Sequence, residues 1–175
     1  MKIWLTTDTH FGHTKLIEYG RISNFEEKIK KGLRENIKPE DLLIHLGDVC
    51  IGNDAEHNHW FDCLGCKRYL IIGNHDRKSI SWYLDNGWTA VGSRIDIELF
   101  GKKICFTHQP VAWDGYFDIN IHGHFHDTDH RRFEPEFNRI LSGYNKLLAL
   151  EKTNYQPVLL EKFIIPPATN NQSAS

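Results

Sequence analysis

Seven side chains that can hold a cation, and one that can hand on a proton, sit at the ends of apolar runs in this sequence. Lys2–Thr7 ends at Asp8-Thr9-His10, and Leu42–Leu46 ends at Gly47-Asp48. Tyr69–Ile72 ends at Gly73-Asn74-His75-Asp76, and Lys103–Phe106 ends at Thr107-His108. Ile119–His122 ends at Gly123-His124-Phe125-His126. In open α/β sheets a ligand occupies the crevice beyond the carboxyl ends of the strands. Carboxylate and imidazole donors suit Mn, Fe, Zn or Ni better than Cu(I) or Ca. Asp8, His10, Asp48, Asn74, His108, His124 and His126 are too many ligands for one tetrahedral ion. They fit two octahedral-type ions sharing a bridge, and Asp48, with two oxygens and a strand lying between the others, is the expected bridge. His75 is the expected proton donor, and Asp76 is expected to orient its ring. His13 and Arg21, beside the first motif, are expected to bind substrate phosphate, for which the Arg fork is suited. Trp113 and Tyr116 offer rings that could line the cleft.

Any one of these motifs also describes a histidine that merely packs or faces water, and the chain has 11 histidines. The weight lies in the joint placement: each motif ends an apolar run, and three follow a glycine. His45, His57, His59, His122 and His130 are expected to pack or face solvent.

The elements that must position these residues follow from hydrophobic period. Lys2–Thr7, Leu42–Leu46 and Lys67–Ile72 lack polar alternation and read as buried strands. If the chain stays extended past Thr7, Asp8 and His10 share a face. Asn24–Ile37 reads as a helix with a stripe of Phe25, Ile29 and Leu33, opened by a capping-box-like pair of Asn24 and Glu27. Asp54–Leu64 and Arg77–Asn86 read as helices, stopped by Gly65 and Gly87. Arg94–Phe100 alternates polar and apolar residues, and with Gly101-Lys102 and Lys103–Phe106 it forms a hairpin. Ile119–His122 is a short strand, Asp127–Glu134 a solvated loop, and Lys146–Leu150 and Pro157–Phe163 two closing strands. The tail from Pro166 reads as disordered. Strand–helix units followed by a strand-rich half predict an α/β layered sandwich in one domain over 1–165.

A formal net charge of −2 on 175 residues provides no basic field for long nucleic acid. Met1–Leu5 is too short for a signal peptide and no run is long enough to span a bilayer, so a cytoplasmic location is expected. Cys63-Leu64-Gly65-Cys66 has the spacing of half a zinc site, but no second pair completes it; free thiols at a helix end are expected.

The full set, Asp8-Thr9-His10, Gly47-Asp48, Gly73-Asn74-His75-Asp76, His108 and Gly123-His124-Phe125-His126, resembles the motif set of the calcineurin-like metallophosphoesterases in order and rough spacing. The likeness runs from Lys2 to His126 and more weakly through Asn154–Val158. The start Asp8–His13 followed by Arg21 resembles a compact bacterial and phage branch. The resemblance implies a four-layer αββα fold, with two β-sheets flanked by helices. It implies one divalent transition-metal ion, Mn first among Fe, Ni and Zn, held by Asp8, His10, Asp48 and His126. A second would be held by Asp48, Asn74, His108 and His124, with Asn74 also touching substrate. The implied activity is that of a phosphodiesterase or phosphatase: a metal-bridged hydroxide attacks phosphorus and His75 is general acid. Cys50, two residues past Asp48, is not a ligand position in the family and is assigned to packing. The expected partner is a small phosphate ester such as a nucleotide, with no long nucleic acid and no membrane. The alternatives are a nuclease of the same superfamily, or a silent binding scaffold on this fold; the intact ligand set and His75 argue against the scaffold.

Overall fold

The computed structural model describes residues 1–127 and 135–165; most of the expected loop Asp127–Glu134 and the tail from Pro166 lie outside the described residues. β1 (Ile3–Thr6), β2 (Leu42–His45), β3 (Lys67–Ile71) and β4 (Ala90–Gly92) run parallel. β9 (Val158–Leu159) pairs antiparallel with β1, and the order of this sheet is β4-β3-β2-β1-β9. The second sheet has the order β5-β6-β7-β8, from β5 (Arg94–Leu99), β6 (Lys102–Thr107), β7 (Ile119–His122) and β8 (Asn145–Leu147). β5 and β6 are antiparallel, while β6, β7 and β8 are parallel. Helices α1 (Phe25–Asn36), α2 (Asp54–Trp60), α3 (Ile80–Asp85), α4 (Pro135–Asn138) and α5 (Leu160–Ile164) join the strands, with short 3₁₀ turns at Thr14–Ile17, Phe61–Leu64 and Leu150–Thr153. The result is the expected sandwich of two mixed sheets flanked by helices.

The apolar runs explain the layers. A parallel strand covered on both faces has no wet side, so β1 and β2 are apolar in every direction. Alternate residues then serve different cores. Trp4, Leu43 and Leu70 pack with Phe25, Ile29, Leu33, Phe61 and Trp88 under α1 and α2. Leu5, Ile44 and Ile71 pack with Ile104, Phe106 and Ile121 of the second sheet. β5 alternates exposed Arg94, Asp96 and Glu98 with half-buried Ile95, Ile97 and Leu99, as its period requires.

Several local expectations change. The Asn24 cap does not form: a turn closed by the Phe25 N–H to the Ile22 carbonyl (3.1 Å) leads into α1, and Asn24, at φ −103° and ψ 27°, is not extended as a capping residue must be. α2 ends at Trp60 and tightens into a 3₁₀ turn, Phe61–Leu64, before left-handed Gly65. α3 starts only at Ile80, where the Ser79 hydroxyl accepts from the Trp82 N–H (3.2 Å). The hairpin turns at Phe100-Gly101, both at positive φ, rather than at Gly101-Lys102. β8 stops at Leu147, and Leu150–Thr153 is a 3₁₀ turn. Pro157–Phe163 is not one strand. Only Val158 and Leu159 pair with β1, and Leu160–Ile164 turns into α5, whose Leu160 and Ile164 close the core between the sheets. β4, too short to carry a period, was not expected. Cys63 and Cys66 are free thiols, as expected. No helix among the described residues is long and apolar enough to cross a membrane.

His45 shows how the interior is satisfied. Its Nδ1 accepts from the Gly47 N–H (3.1 Å), and the Thr9 hydroxyl donates to the Val49 carbonyl (2.7 Å). The Nε2–H is therefore the donor to Thr9 Oγ1 (2.9 Å), an assignment made from the network. Burial holds the imidazole neutral, pulling its pKa down to about 3. Below pH about 6.5 the unfolded chain binds a proton that folded His45 refuses. Stability is therefore predicted to fall by about 1.4 kcal/mol per pH unit from this group between pH 6 and 4. Urea unfolding of the parent and of His45→Gln at pH 7, 6 and 5 checks this. The stability gap between them should narrow as pH drops; a constant gap contradicts it.

Candidate metal centre

β1, β2 and β3 are parallel neighbours, so their carboxyl ends share one edge. β6 and β7 bring His108 and Gly123–His126 to the same edge, where the Gly123 N–H donates to the His108 carbonyl (3.0 Å). The segments after β1 and β2 continue to pair beyond the strands: the Asp8 N–H donates to the Gly47 carbonyl (2.9 Å) and the His10 N–H to the Asp48 carbonyl (3.0 Å).

Asp8 and His10 do converge, but not by staying extended. Both are left-handed, at φ 47° and 46°, as are Asp48 (57°), His124 (71°) and His126 (52°). For L-residues this region costs about 1–2 kcal/mol each, and such strain concentrates at functional sites. Hydrogen bonds to carboxylates hold it. Asp8 Oδ2 accepts from the Thr7 hydroxyl (2.5 Å) and the His124 N–H (3.0 Å). Asp48 Oδ1 accepts from the His75 N–H (2.8 Å). One oxygen of each carboxylate is thus tied to the scaffold and the other is presented to the site.

Those free atoms gather into two nests. Asp8 Oδ1 lies 3.8 Å from both His10 Nε2 and His126 Nε2. His108 Nε2 lies 2.9 Å from Asn74 Oδ1, 3.1 Å from His124 Nδ1 and 3.4 Å from Asp48 Oδ2. Asp48 Oδ2 is also 3.5 Å from His10 Nε2, so it stands between the two groups as a bridge must. His108 donates its Nδ1–H to the Leu46 carbonyl (2.8 Å), which turns Nε2 into the nest. The groups Asp8/His10/His126 and Asp48/His108/His124 suggest a dinuclear metal site. The donor atoms are left waiting for a partner: Asp8 Oδ1 and both ring nitrogens of His10 are buried without a hydrogen bond. An unmade buried bond costs about 1–3 kcal/mol, and a cation coordinated by Asp8 Oδ1 and His10 Nε2 would remove that cost from both atoms. Seven oxygen and imidazole donors match two ions of the Mn–Zn series.

The protein's own charges also answer one another. Burial drives the His10 pKa well below its ordinary value, beyond what the nearby Asp48 charge restores. For His108 burial acts downward, but the Asp48 hydrogen bond and the charges of Asp8 and Asp48 prevail and raise it to about 9. For Asp48 burial acts upward, but the hydrogen bond and charge of His108 hold it below the usual carboxylate range.

Two expected roles are corrected. Asp76 does not orient His75. Its carboxylate accepts from the N–H groups of Asp48 (2.7 Å), Val49 (3.0 Å) and Gly73 (2.8 Å), so it ties the second and third strand ends together. Burial raises its pKa to about 6 despite those donors. Arg21 is not free to take a phosphate. It is 5% exposed, and it donates to the Asp8 carbonyl (2.7 Å), the Thr9 carbonyl (3.4 Å) and Glu151 Oε1 (2.8 Å). His13 does lie at the site, its ring centroid 5.4 Å from that of His10 and 6.0 Å from that of His75. Trp113 and Tyr116 are exposed and do not line the cleft; Trp113 stacks on Tyr144 with centroids 5.3 Å apart.

Sequence reasoning missed Glu151. Its Oε1 accepts from Arg21 Nε and lies 3.1 Å from His126 Nδ1, which Arg21 Nη2 also approaches (3.0 Å), so the pair holds the ring in the orientation that presents His126 Nε2 to Asp8. Burial alone would raise its pKa, but the His126 hydrogen bond and the Arg21 charge lower it to about 2. No motif marks Glu151; it stands 25 residues past His126 and meets it only through the fold.

Two mixed sheets with paired carboxylate–imidazole nests at their strand ends define a metallohydrolase class of architecture. Consistent with this, the calcineurin-like phosphoesterase model matches residues 1–160, and the chain belongs to that family. It is 28% identical over 175 residues to an uncharacterized protein of Methanocaldococcus jannaschii, covering 93% of this chain and 89% of the relative. It is 23% identical to the gene 66 protein of Mycobacterium phage L5, covering 70% of this chain and 76% of that protein. The crystal structure of a protein of unknown function from Aquifex aeolicus superposes with a TM-score of 0.70 at 24% identity, covering 90% of this chain and 95% of that one, which is a likeness of fold.

Partners that orient a ligating histidine are worth about 10–100-fold in metal affinity. Glu151→Ala is therefore predicted to weaken binding of one Mn²⁺ of two by that factor and to spare the other. Glu151→Gln, which keeps the hydrogen bond and loses the charge, should fall between. Isothermal titration calorimetry checks this, and equal affinities in all three proteins contradict it.

Proposed function

We propose that this chain is a binuclear metal-dependent hydrolase of phosphate esters, its catalytic domain spanning 1–165, acting on a small phosphodiester or phosphomonoester such as a nucleotide. The observation that carries this reading is the position of Asp48 Oδ2, which lies 3.5 Å from His10 Nε2 in one nest and 3.4 Å from His108 Nε2 in the other. Asp8, His10, Asp48 and His126 would hold one ion, and Asp48, Asn74, His108 and His124 the other; Mn is proposed first among Mn, Fe, Ni and Zn, the ions that mixed carboxylate and imidazole donors suit. When bound, the pair supplies Lewis-acid neutralisation of phosphoryl charge and an activated water.

The chain's own residues do the rest. His75 is the general acid. Its ring is 31% exposed, stands edge-on to His10 with centroids 5.2 Å apart, and places Nε2 4.0 Å from Asp48 Oδ2. It lines the cleft, close enough to the bridging carboxylate to reach an ester oxygen of a phosphate seated there. Its backbone N–H is held by Asp48, so the acid and the bridge are positioned by one contact. Asn74, exposed on the same turn, is placed to touch both an ion and the substrate. His13, pulled below its ordinary pKa first by burial and then by the charge of His75, is a neutral imidazole available to a phosphate oxygen. Arg21 and Glu151 act one layer back, holding Asp8 and His126.

His75→Ala is predicted to leave the Mn²⁺ affinity within twofold and to lower kcat on an alkyl phosphodiester by about 10²–10⁴-fold, the usual worth of a positioned acid. A p-nitrophenyl ester, whose leaving anion needs no proton, should suffer far less. Unchanged alkyl-ester turnover removes the acid role; lost metal binding makes His75 a ligand instead.

A further inference from the structure

The cleft over the first nest is much larger than one phosphate group requires. Its volume is about 660 Å³, within the range that encloses whole small-molecule ligands. His10, His13, Asp48, His75 and His126 form its floor. Its outer wall is the segment from Lys15 to Gly20, which carries none of the metal-binding motifs.

That wall is built to stay in place. The Leu16 N–H donates to the His13 carbonyl (3.1 Å), Tyr19 N–H to Leu16 (3.2 Å), Gly20 N–H to Ile17 (3.2 Å) and Arg21 N–H to Leu16 (3.0 Å). Gly20 turns the chain back at φ 103°, and buried Arg21 anchors it to the Asp8 carbonyl. Two side chains project from this pinned turn with nothing to do. The Tyr19 ring is 74% exposed and has no ring partner among the described residues. Lys15 is exposed and lies within ion-pair distance of no carboxylate among the described residues. Of the acids that line the cleft, Asp48 belongs to the metal-binding floor and the other two are already engaged: Asp127 with Lys152 (3.3 Å), Glu151 with Arg21 (2.8 Å) and His126 (3.1 Å). Glu18, the acid of the same turn, is not among the residues that line the cleft, so the wall presents to it the positive charge of Lys15 beside the aromatic face of Tyr19.

We propose that Tyr19 and Lys15 form a nucleotide subsite: Tyr19 stacks on a base, and Lys15 binds a phosphate adjoining the one held over the nests. An aromatic side chain stacks on any base, and a lysine reads phosphate as a point charge, so the pair selects a nucleotide class rather than one sequence or base. This subsite rests on the phosphoesterase reading and narrows its substrate.

The test uses the Mn²⁺-loaded full chain and two diesters that release the same p-nitrophenolate: thymidine 5′-(p-nitrophenyl phosphate) and ethyl p-nitrophenyl phosphate. Tyr19→Ala should raise KM for the thymidine ester about tenfold, the size of a lost base stack. KM for the ethyl ester should stay within twofold, and Tyr19→Phe should behave as the parent on both. For Lys15, ADP should inhibit the parent several-fold more tightly than AMP, and Lys15→Gln should abolish that difference. Tyr19 and Lys15 are exposed, so thermal melting should not move. Hydrolysis of the ethyl ester with an unaltered KM ratio in Tyr19→Ala overturns the subsite alone. Failure of the parent to hydrolyse both diesters and the monoester p-nitrophenyl phosphate overturns the phosphoesterase reading and the subsite with it.

Discussion

The whole arrangement depends on how closely four strand ends approach one another. At Gly73 a Cβ would sit 2.2 Å from Asp48 Oδ1, and at Gly123 it would sit 2.0 Å from Thr7 Oγ1 and 2.4 Å from Asp8 Oδ2. No real side chain tolerates such contacts, so only hydrogen at these positions lets β3 and β7 press their ends against the carboxylates of β1 and β2. Gly47 adds a second demand. It is left-handed at φ 97°, and a Cβ there would meet Gly73 N and His108 Nδ1 at 2.7 Å. The glycines before the polar motifs are therefore clearances, and the chemistry fits in the space they leave.

Close approach brings an electrostatic problem. Asp8, Asp48, His10, His108 and His124 are nearly water-free, and buried charges are unfavourable unless paired. The division of oxygens in each carboxylate is the physical answer. One oxygen takes backbone or hydroxyl hydrogen bonds, which stabilise the anion and hold the left-handed loops. The other points into a nest whose remaining members are imidazole nitrogens. Asp76 and Glu151 extend the same logic outward, the first to three backbone donors, the second to Arg21 and His126. A pair of divalent ions would complete the charge balance that these anions begin.

The strands that carry the site were legible because both of their faces are dry. β1, β2 and the Tyr69–Ile71 run of β3 show no polar alternation, and the stripe of α1 holds its predicted buried face. Elements whose identity depends on contact were not legible. Val158–Leu159 pairs with β1, while Leu160-Glu161-Lys162-Phe163-Ile164 coils to fill the gap between the sheets, and a segment of five residues is too short for its period to mark the change. The Asn24 cap failed because the preceding turn, not the residue type, sets the backbone angle that capping needs.

By itself the sequence determined which side chains could meet an ion. Asp, Asn and His at the ends of apolar runs form a donor list that survives any packing of the strands. The fold decided what each neighbour of that list does. Arg21 looked like a phosphate binder and is a brace, because folding spends its donors on the Asp8 and Thr9 carbonyls and on Glu151. Asp76 looked like the partner of His75 and is a clasp, because three backbone N–H groups reach it first. Glu151 gave no sign at all. A hydrogen bond across 25 residues of chain is created by tertiary proximity, and no local pattern encodes it.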